Sequence, residues 1–327
     1  MKSTHKSWLW RSLLIIFLLI AFYEFRPNQY AGLTCVDKKA ATLGKWNFHY
    51  DGDYLGANGC PYDPKQTELA EVPPIKVGPP QGDEPFYYVN GANHRVKWAL
   101  AENYVLARDL GRPVVGIYNG TLGGRFPDAL LRGLFPGHVL DTLTELLWQH
   151  VSQGKPIHIR ANSQGTIEMS HALQAVRDRL MRQQPPERVD ELMDLIRFET
   201  AGSAIKDFPD GPRYVHYVNL KDPVPKAAGI MASGSHPGRG AVIACFDAYD
   251  EDPIENRYRW IDPLTQRFLA VHGFMVYRHY RRPFDELYAH NRRDGQLSYL
   301  HIKTPTDSRP NVTVAEAVSS CQGSSSR

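Results

Sequence analysis

The segment that decides the fold is residues 157–165, which read Ile-His-Ile-Arg-Ala-Asn-Ser-Gln-Gly. Its β-branched opening predicts a strand, and residues 166–181 carry apolar side chains at helical spacing. Ser163 therefore lies on a turn between a strand and a helix. Ala161 and Gly165 flank it, and a tight strand-to-helix turn that exposes a nucleophilic serine needs such small neighbours. A serine that only caps the helix is the alternative.

Outward from this turn, strand-like and helix-like segments alternate. The further strand candidates are residues 86–89, 114–118, 197–200, 214–220 and 241–246, and the helix candidates are 94–110, 139–151 and a short helix after Pro186. Strands separated by helix-length segments predict a mostly parallel sheet covered on both faces. The fold class expected is therefore a doubly wound α/β domain.

The chain of 327 residues is long enough for one large domain with additional terminal segments. We expect a membrane segment over residues 1–27 and the α/β domain over 85–303, with a C-terminal tail over 304–327. Residues 28–84 contain two Pro-Pro pairs near their end, which predicts an extended, proline-rich N-terminal region.

The N-terminus has the pattern of a secretory signal or a signal anchor. Lys2, Lys6 and Arg11 precede the uncharged apolar residues 12–23. The lack of a small-residue cleavage site favours an uncleaved membrane anchor. Because the basic residues stay in the cytoplasm, the rest of the chain is expected outside it. Cleavage would instead give a secreted protein, and a buried N-terminal helix is a further alternative.

Cysteine, histidine and charge patterns limit the partners. The four cysteines show no C-x-x-C pair, and no histidine–carboxylate spacing resembles a ligand set, so we expect no metal and no cofactor. Outside the cytoplasm, Cys35 with Cys60 and Cys245 with Cys321 are the pairs to test first, although other pairings and free thiols stay open. A net charge of +3 without a basic, aromatic-rich stripe predicts no nucleic-acid partner.

Three pieces of the sequence carry a resemblance to a known family. They are Asn-Ser-Gln-Gly at residues 162–165, Phe-Glu-Thr-Ala-Gly-Ser at 198–203 and Asn-Leu-Lys-Asp-Pro-Val-Pro at 219–225. Over roughly residues 85 to 285 the chain resembles the α/β-hydrolase superfamily, in particular lipase-like members with an aspartate in a D-x-V-P turn. The resemblance implies the α/β-hydrolase fold and a catalytic triad in the chain order serine, acid, histidine.

By this resemblance Asp222 is the acid that orients the histidine. The carboxylates of Asp207 and Asp210 follow the preceding strand and are the reserve candidates. A solvated aspartate in a turn is the alternative for Asp222.

The resemblance places the base in a loop after the last predicted strand. His272, His279, His290 and His301 all follow that strand. His272 is the preferred base because a flexible glycine follows it beside an apolar segment, and His279 is the second choice.

Two backbone N–H groups are expected to form an oxyanion hole. Gln164 follows the nucleophile, and Ala92 lies in the loop after the first predicted strand, where Gly91 allows a sharp turn. A simple Asn-Gly turn at residues 90–91 is the alternative.

Two other segments bear on the substrate. Glycines bracket an apolar stretch at residues 126–135, which is either a lid or an irregular core connection. Arginines at 278–293 either bind anionic headgroups or form a solvated basic face. We expect a serine esterase or lipase that acts on a small-molecule or lipid ester. A thioesterase, a peptidase and a non-catalytic, membrane-tethered binding protein of the same fold stay open.

Overall fold

The structure is a computed structural model, and it describes residues 50–57, 61–79, 82, 84–92, 94, 96–121, 137–249, 263–292 and 294–303. The predicted membrane segment, the predicted tail and the apolar stretch at 126–135 lie outside these residues. Among the described helices, none has both the length and the apolar character that a bilayer crossing requires.

A nine-stranded, mostly parallel sheet organises the described chain in the order β2-β1-β4-β3-β5-β6-β7-β8-β9. The strands are β1 Tyr54–Leu55, β2 Pro61–Tyr62, β3 Phe86–Val89, β4 Val114–Ile117, β5 Ile157–Asn162, β6 Ile196–Ala201, β7 Arg213–Asn219, β8 Val242–Phe246 and β9 Ser298–His301. Strands β3 to β9 run parallel, whereas β1 is antiparallel to both β2 and β4. The predicted mixed α/β class with a mostly parallel sheet is confirmed.

Helices connect the strands. The described helices are α1 Val96–Leu110, α2 His138–Val151, α3 Gly165–Met181, α4 Pro186–Met193, α5 Pro223–Ala227, α6 Pro263–His272, α7 Phe274–His279 and α8 Phe284–Tyr288, with a 3-10 turn at Leu69–Glu71.

Apolar side chains pack on both faces of the sheet. Along β3, Tyr87 and Val89 join the cluster that contains α2 and α3, whereas Phe86 and Tyr88 join the cluster that contains α1. On that second face, α7 and α8 pack against β7 and β8. This alternation follows from the two-residue period of a strand. Helices therefore cover both faces, and the side chains of β5 are buried along its whole length.

The sheet extends further than expected at both edges. Strands β1 and β2 come from residues 28–84, which were expected to form an extended, proline-rich region, and Ile75 of the same region exchanges two backbone hydrogen bonds with Val114. The expected domain boundary at residue 85 therefore falls inside the sheet. Strands of two residues are too short to show any alternation in sequence. Similarly, β9 follows β8, which the sequence indicated as the last strand.

Cys245 lies in β8 and is disulfide-bonded. The other three cysteines, including the expected partner Cys321, lie outside the described residues.

Within the described residues, three arginines of the segment 278–293 form separate ion pairs with carboxylates. Arg278 pairs with Asp109, and Arg292 pairs with Asp294. Arg281 instead pairs with Glu199, which is fully buried on β6. Carboxylates therefore neutralise these arginines individually.

The ion pair between Arg281 and Glu199 joins the segment that precedes α8 to the middle of the sheet. Glu199 accepts hydrogen bonds from Arg281 Nε and Nη2 at 2.8 and 2.6 Å, and its Oε1 lies 2.8 Å from His158 Nε2. Burial acts to raise the pKa of Glu199, but Arg281 and His158 outweigh it and hold that pKa well below its ordinary value. Glu199 therefore stays ionised in the folded protein.

We expect Arg281→Met to lower the free energy of unfolding by about 3–5 kcal/mol at pH 7, because it leaves a buried carboxylate without its main cation. Since the pKa of Glu199 is lower in the folded than in the unfolded state, its contribution is present above the unfolded pKa of about 4 and is lost as the pH falls. The difference in the free energy of unfolding between the wild type and Arg281→Met should therefore shrink below about pH 4.

Urea denaturation across this pH range measures the effect. Arg188→Met is the control because its pair with Glu191 is exposed, and such pairs contribute only about 0–1 kcal/mol. Equal losses in the two variants at pH 7 would contradict the prediction.

Candidate active site

Ser163 occupies a strained turn between β5 and α3. Its φ is +48°, and among the described residues it is the one non-glycine residue with positive φ. Such a conformation costs about 1–3 kcal/mol and persists where the surroundings enforce it. Here the Ser163 N–H donates to the Ala201 carbonyl at 2.8 Å. The turn therefore projects the serine beyond the carboxyl ends of the strands, where open α/β sheets place their sites.

Two glycines allow the chain to pass close to this turn. A Cβ at Gly165 would lie 2.7 Å from the Asn90 carbonyl oxygen, and one at Gly91 would lie 3.1 Å from Ser163 Cβ. The sequence pattern requires a small residue at position 165 for a steric reason: a side chain there would collide with the backbone of the loop after β3. The loop after β3 packs directly against the serine turn.

Three side chains from distant parts of the chain meet at this point. His272 Nε2 lies 2.7 Å from Ser163 Oγ, and His272 Nδ1 lies 2.6 Å from Asp222 Oδ2. Asp222 is fully buried, and 6% of His272 is exposed. An imidazole that donates its Nδ1–H to the carboxylate presents a free lone pair on Nε2 to the serine hydroxyl.

Asp222 is held by several hydrogen-bond donors. It follows β7 and caps α5, where its Oδ1 accepts from the Val224 N–H at 2.9 Å. The Tyr277 hydroxyl donates to Oδ2 at 2.7 Å. Asp222 is therefore a structured carboxylate and not a solvated turn residue.

His272 lies at the end of α6 and not in a loop, which corrects the expectation from sequence. Asn219, at the end of β7, fixes this helix end: its Nδ2 donates to the Val271 carbonyl at 2.9 Å and to the Ala248 carbonyl at 2.8 Å. Its Oδ1 accepts from the N–H of Ala248 and of Lys221. The buried side-chain amide of Asn219 thus connects the residue before His272 to the residue before Asp222.

The reserve acids lie in a different hydrogen-bonded cluster. Asp207 accepts from the His236 N–H at 3.1 Å, and Asp210 lies 3.0 Å from His236 Nε2. Within the described residues neither one contacts His272.

The other candidate histidines lie on separate elements. His279 ends α7, His301 is in β9, and the carbonyl of His290 accepts a hydrogen bond from Ser298. The structure brings His272 into hydrogen-bond contact with both Ser163 and Asp222.

The two expected oxyanion donors belong to two segments that meet at the serine turn. Gln164 precedes α3, whose N-terminus carries a partial positive charge, and Ala92 follows Gly91 in the loop against the serine turn. Among the described residues, neither N–H donates a backbone hydrogen bond. The roles of these two N–H groups as oxyanion donors therefore stay a prediction.

The comparisons identify no family. No model of a protein family matches the chain, and no curated protein is similar to it in sequence. The functional assignment therefore rests on the geometry of the site.

Gly202 is a further residue on which this geometry depends. It follows β6 with φ of +60°, and a Cβ there would lie 3.0 Å from His272 Cε1 and 3.1 Å from Asp222 Oδ2. A side chain at this position would push Asp222 and His272 apart. The sequence showed only a glycine after a strand, because its neighbours here come from remote segments.

For the ester hydrolysis expected from the sequence, we expect Gly202→Ala to lower kcat by about 10²-fold, because a small displacement of catalytic groups has an effect of this size. The control is Gly234→Ala, which has a similar φ of +68° but no atom within 4 Å of the added Cβ. Both variants should lose stability from backbone strain, about 1–2 kcal/mol each. Steady-state kinetics and thermal unfolding separate the two effects, and equal kcat values for the two variants would overturn the assignment.

Proposed function

We propose that this protein is a serine hydrolase of the α/β-hydrolase fold that cleaves a carboxylic ester through an acyl-enzyme. The observation that carries the proposal is the hydrogen-bonded chain from Ser163 through His272 to Asp222 on a strained serine turn. The mostly parallel sheet, with the site at the carboxyl ends of its strands, supports it.

In the proposed acylation step, Ser163 Oγ attacks the ester carbonyl carbon. His272 Nε2 takes the hydroxyl proton as the new C–O bond forms, and Asp222 stabilises the resulting imidazolium through Nδ1–H. The tetrahedral intermediate then expels the alcohol: the ester C–O bond breaks, and His272 returns its proton to the leaving oxygen. An acyl group is left on Ser163.

In the proposed deacylation step, a water molecule attacks the acyl carbon while His272 Nε2 takes its proton. When the acyl–Oγ bond breaks, the proton goes to Ser163 Oγ and the carboxylic acid departs. The N–H groups of Gln164 and Ala92 are proposed to donate to the oxyanion in both steps. Each such donor typically contributes about 10²–10³-fold in kcat.

A non-catalytic binding protein of the same fold is less well supported. Such a scaffold would not need a serine in a costly backbone conformation, nor a histidine that bridges it to a buried carboxylate. The same three residues would also serve a thioester or a peptide, and ester hydrolysis is the class we propose.

We further propose that the domain faces the outside of a membrane, with residues 1–27 as its anchor, and that its esters are small or lipid-derived. The disulfide at Cys245 supports an oxidising compartment, because such bonds are rare in reducing ones.

A fluorophosphonate probe tests the proposal directly, because it phosphonylates an activated serine. We expect stoichiometric labelling of the full-length protein, with mass spectrometry of the digested protein placing the adduct on Ser163. Absence of labelling, or an adduct on another residue, would overturn the proposal.

A further inference from the structure

We propose that Tyr277 is a positioning residue for the acid–base pair: its hydroxyl holds the Asp222 carboxylate in the orientation that His272 requires. This inference rests on the function proposed above and adds a fourth residue to that site. The resemblance in sequence gives Tyr277 no role.

The contacts place the phenol on the reacting oxygen of the acid. The Tyr277 O–H donates to Asp222 Oδ2 at 2.7 Å, and this is the same oxygen that lies 2.6 Å from His272 Nδ1. The Tyr277 oxygen in turn accepts from the Asn219 N–H at 3.2 Å. Since the other carboxylate oxygen is bound by the Val224 N–H, Asp222 cannot rotate without breaking a bond.

Tyr277 is a donor throughout the pH range in which enzymes are assayed. The side chain is fully buried, and burial raises its pKa well above the ordinary value of a tyrosine, with the neighbouring Asp222 charge acting in the same direction. The phenol therefore stays protonated and keeps its O–H as a donor to Asp222 Oδ2.

The backbone makes Tyr277 and His272 parts of one unit. His272 ends α6, Gly273 caps α7, and Tyr277 lies one turn into α7. The Tyr277 ring packs edge-on against Phe246 of β8, with ring centroids 5.3 Å apart. His272 and Tyr277, the two residues that contact Asp222 Oδ2, are thus held by two consecutive helices, α6 and α7.

The charged groups around Asp222 and Tyr277 determine in which direction loss of the Tyr277 hydroxyl should shift the pH profile of activity. Asp222 lies after β7, and Ser163 contacts His272 from the serine turn. From β5, the charge of the buried Arg160 acts on Tyr277, and Lys221 beside Asp222 pairs with Asp247 at 2.7 Å. A donor on Oδ2 withdraws negative charge from the carboxylate that stabilises the imidazolium. Without that donor, Asp222 should attract the imidazolium form of His272 more strongly.

The experiment compares Tyr277→Phe with Tyr217→Phe in the full-length protein. Tyr217 is a matched control: it is also fully buried, and its hydroxyl donates to the Arg282 carbonyl at 2.9 Å and accepts from the Arg282 N–H at 3.2 Å. Each substitution removes a buried hydroxyl with one donated and one accepted hydrogen bond. Only Tyr277 contacts the acid.

For Tyr277→Phe we expect kcat on p-nitrophenyl acetate to fall about 10-fold with KM unchanged. The acidic limb of kcat/KM should move up by roughly 0.5 pH unit or more. Tyr217→Phe should leave both unchanged although it lowers the melting temperature similarly. In an Asp222→Asn background the effect of Tyr277→Phe on kcat should disappear, since the pair acts as one unit.

Equal pH profiles for the two phenylalanine variants would overturn the inference, as would an equal fall in kcat. If Tyr277→Phe does not fold, 3-fluorotyrosine at position 277 is the second variant. Its side chain keeps the shape of tyrosine and its hydroxyl is a stronger donor, so the acidic limb of kcat/KM should move to lower pH. An unmoved limb would then be decisive against the inference. If the wild type is not labelled by the fluorophosphonate, the proposed function fails; a labelled wild type with an unmoved limb refutes the role of Tyr277 alone.

Discussion

Ser163→Ala is expected to lower kcat for a p-nitrophenyl ester by at least about 10⁴-fold, since removal of a triad serine eliminates the covalent route. Ser163 Oγ is the atom that His272 Nε2 contacts at 2.7 Å, and alanine retains no group that can form the acyl bond. Fluorophosphonate labelling should disappear with the activity. Residual hydrolysis would reflect binding and oxyanion donors alone.

Ser170→Ala is the matched control for this variant. Ser170 lies in α3 and is buried, and its Oγ donates to the Asp207 carbonyl at 2.7 Å. The control should be labelled at the wild-type rate. Ser163→Ala protein that is still labelled and still turns over would show that another residue is the nucleophile.

His272→Ala is expected to lower kcat by at least about 10⁴-fold as well, because the serine then has no base to accept its proton. The imidazole that alanine removes lies 2.7 Å from Ser163 Oγ and 2.6 Å from Asp222 Oδ2, so the substitution breaks the connection between nucleophile and acid. Rates of labelling and of ester turnover both measure it.

His279→Ala is the informative comparison, since His279 is the second histidine that the sequence offers and it lies at the end of the next helix, α7. We expect it to keep kcat within a few-fold of wild type. Full activity in His272→Ala, or a comparable loss in His279→Ala, would remove His272 as the base.

Local pattern predicted the central elements well. Apolar spacing and the small residues around Ser163 indicated β5 and α3, and the observed elements begin and end within a few residues of the expected ones. The strands missed are short and lie at or next to the sheet edges: β1 and β2 have two residues each, and β9 has four. The pairing of β1 with β4 and of β2 with β1, and not any periodicity of their own, makes these two segments strands.

The supports of the site were not predictable in the same way. Tyr277 and Asp222 are 55 positions apart, and Asn219 and Val271 are 52 apart. A hydrogen bond over such a separation leaves no spacing in the sequence that a helix or strand period could reveal. Ser163 was found because its constraint is local, whereas Asn219, Gly202 and Tyr277 act through residues from other strands and helices.

The position of His272 at the end of α6 has a consequence for biosynthesis. In chain order the serine and the acid leave the ribosome first, and the histidine follows 50 residues after Asp222. Because domains form from the N-terminus as they are synthesised, a nascent chain that has folded through β7 carries the serine without its base. The proposed enzyme would therefore be chemically silent until α6 and α7 dock, so that an unfinished chain could not hydrolyse the esters of the cell that makes it.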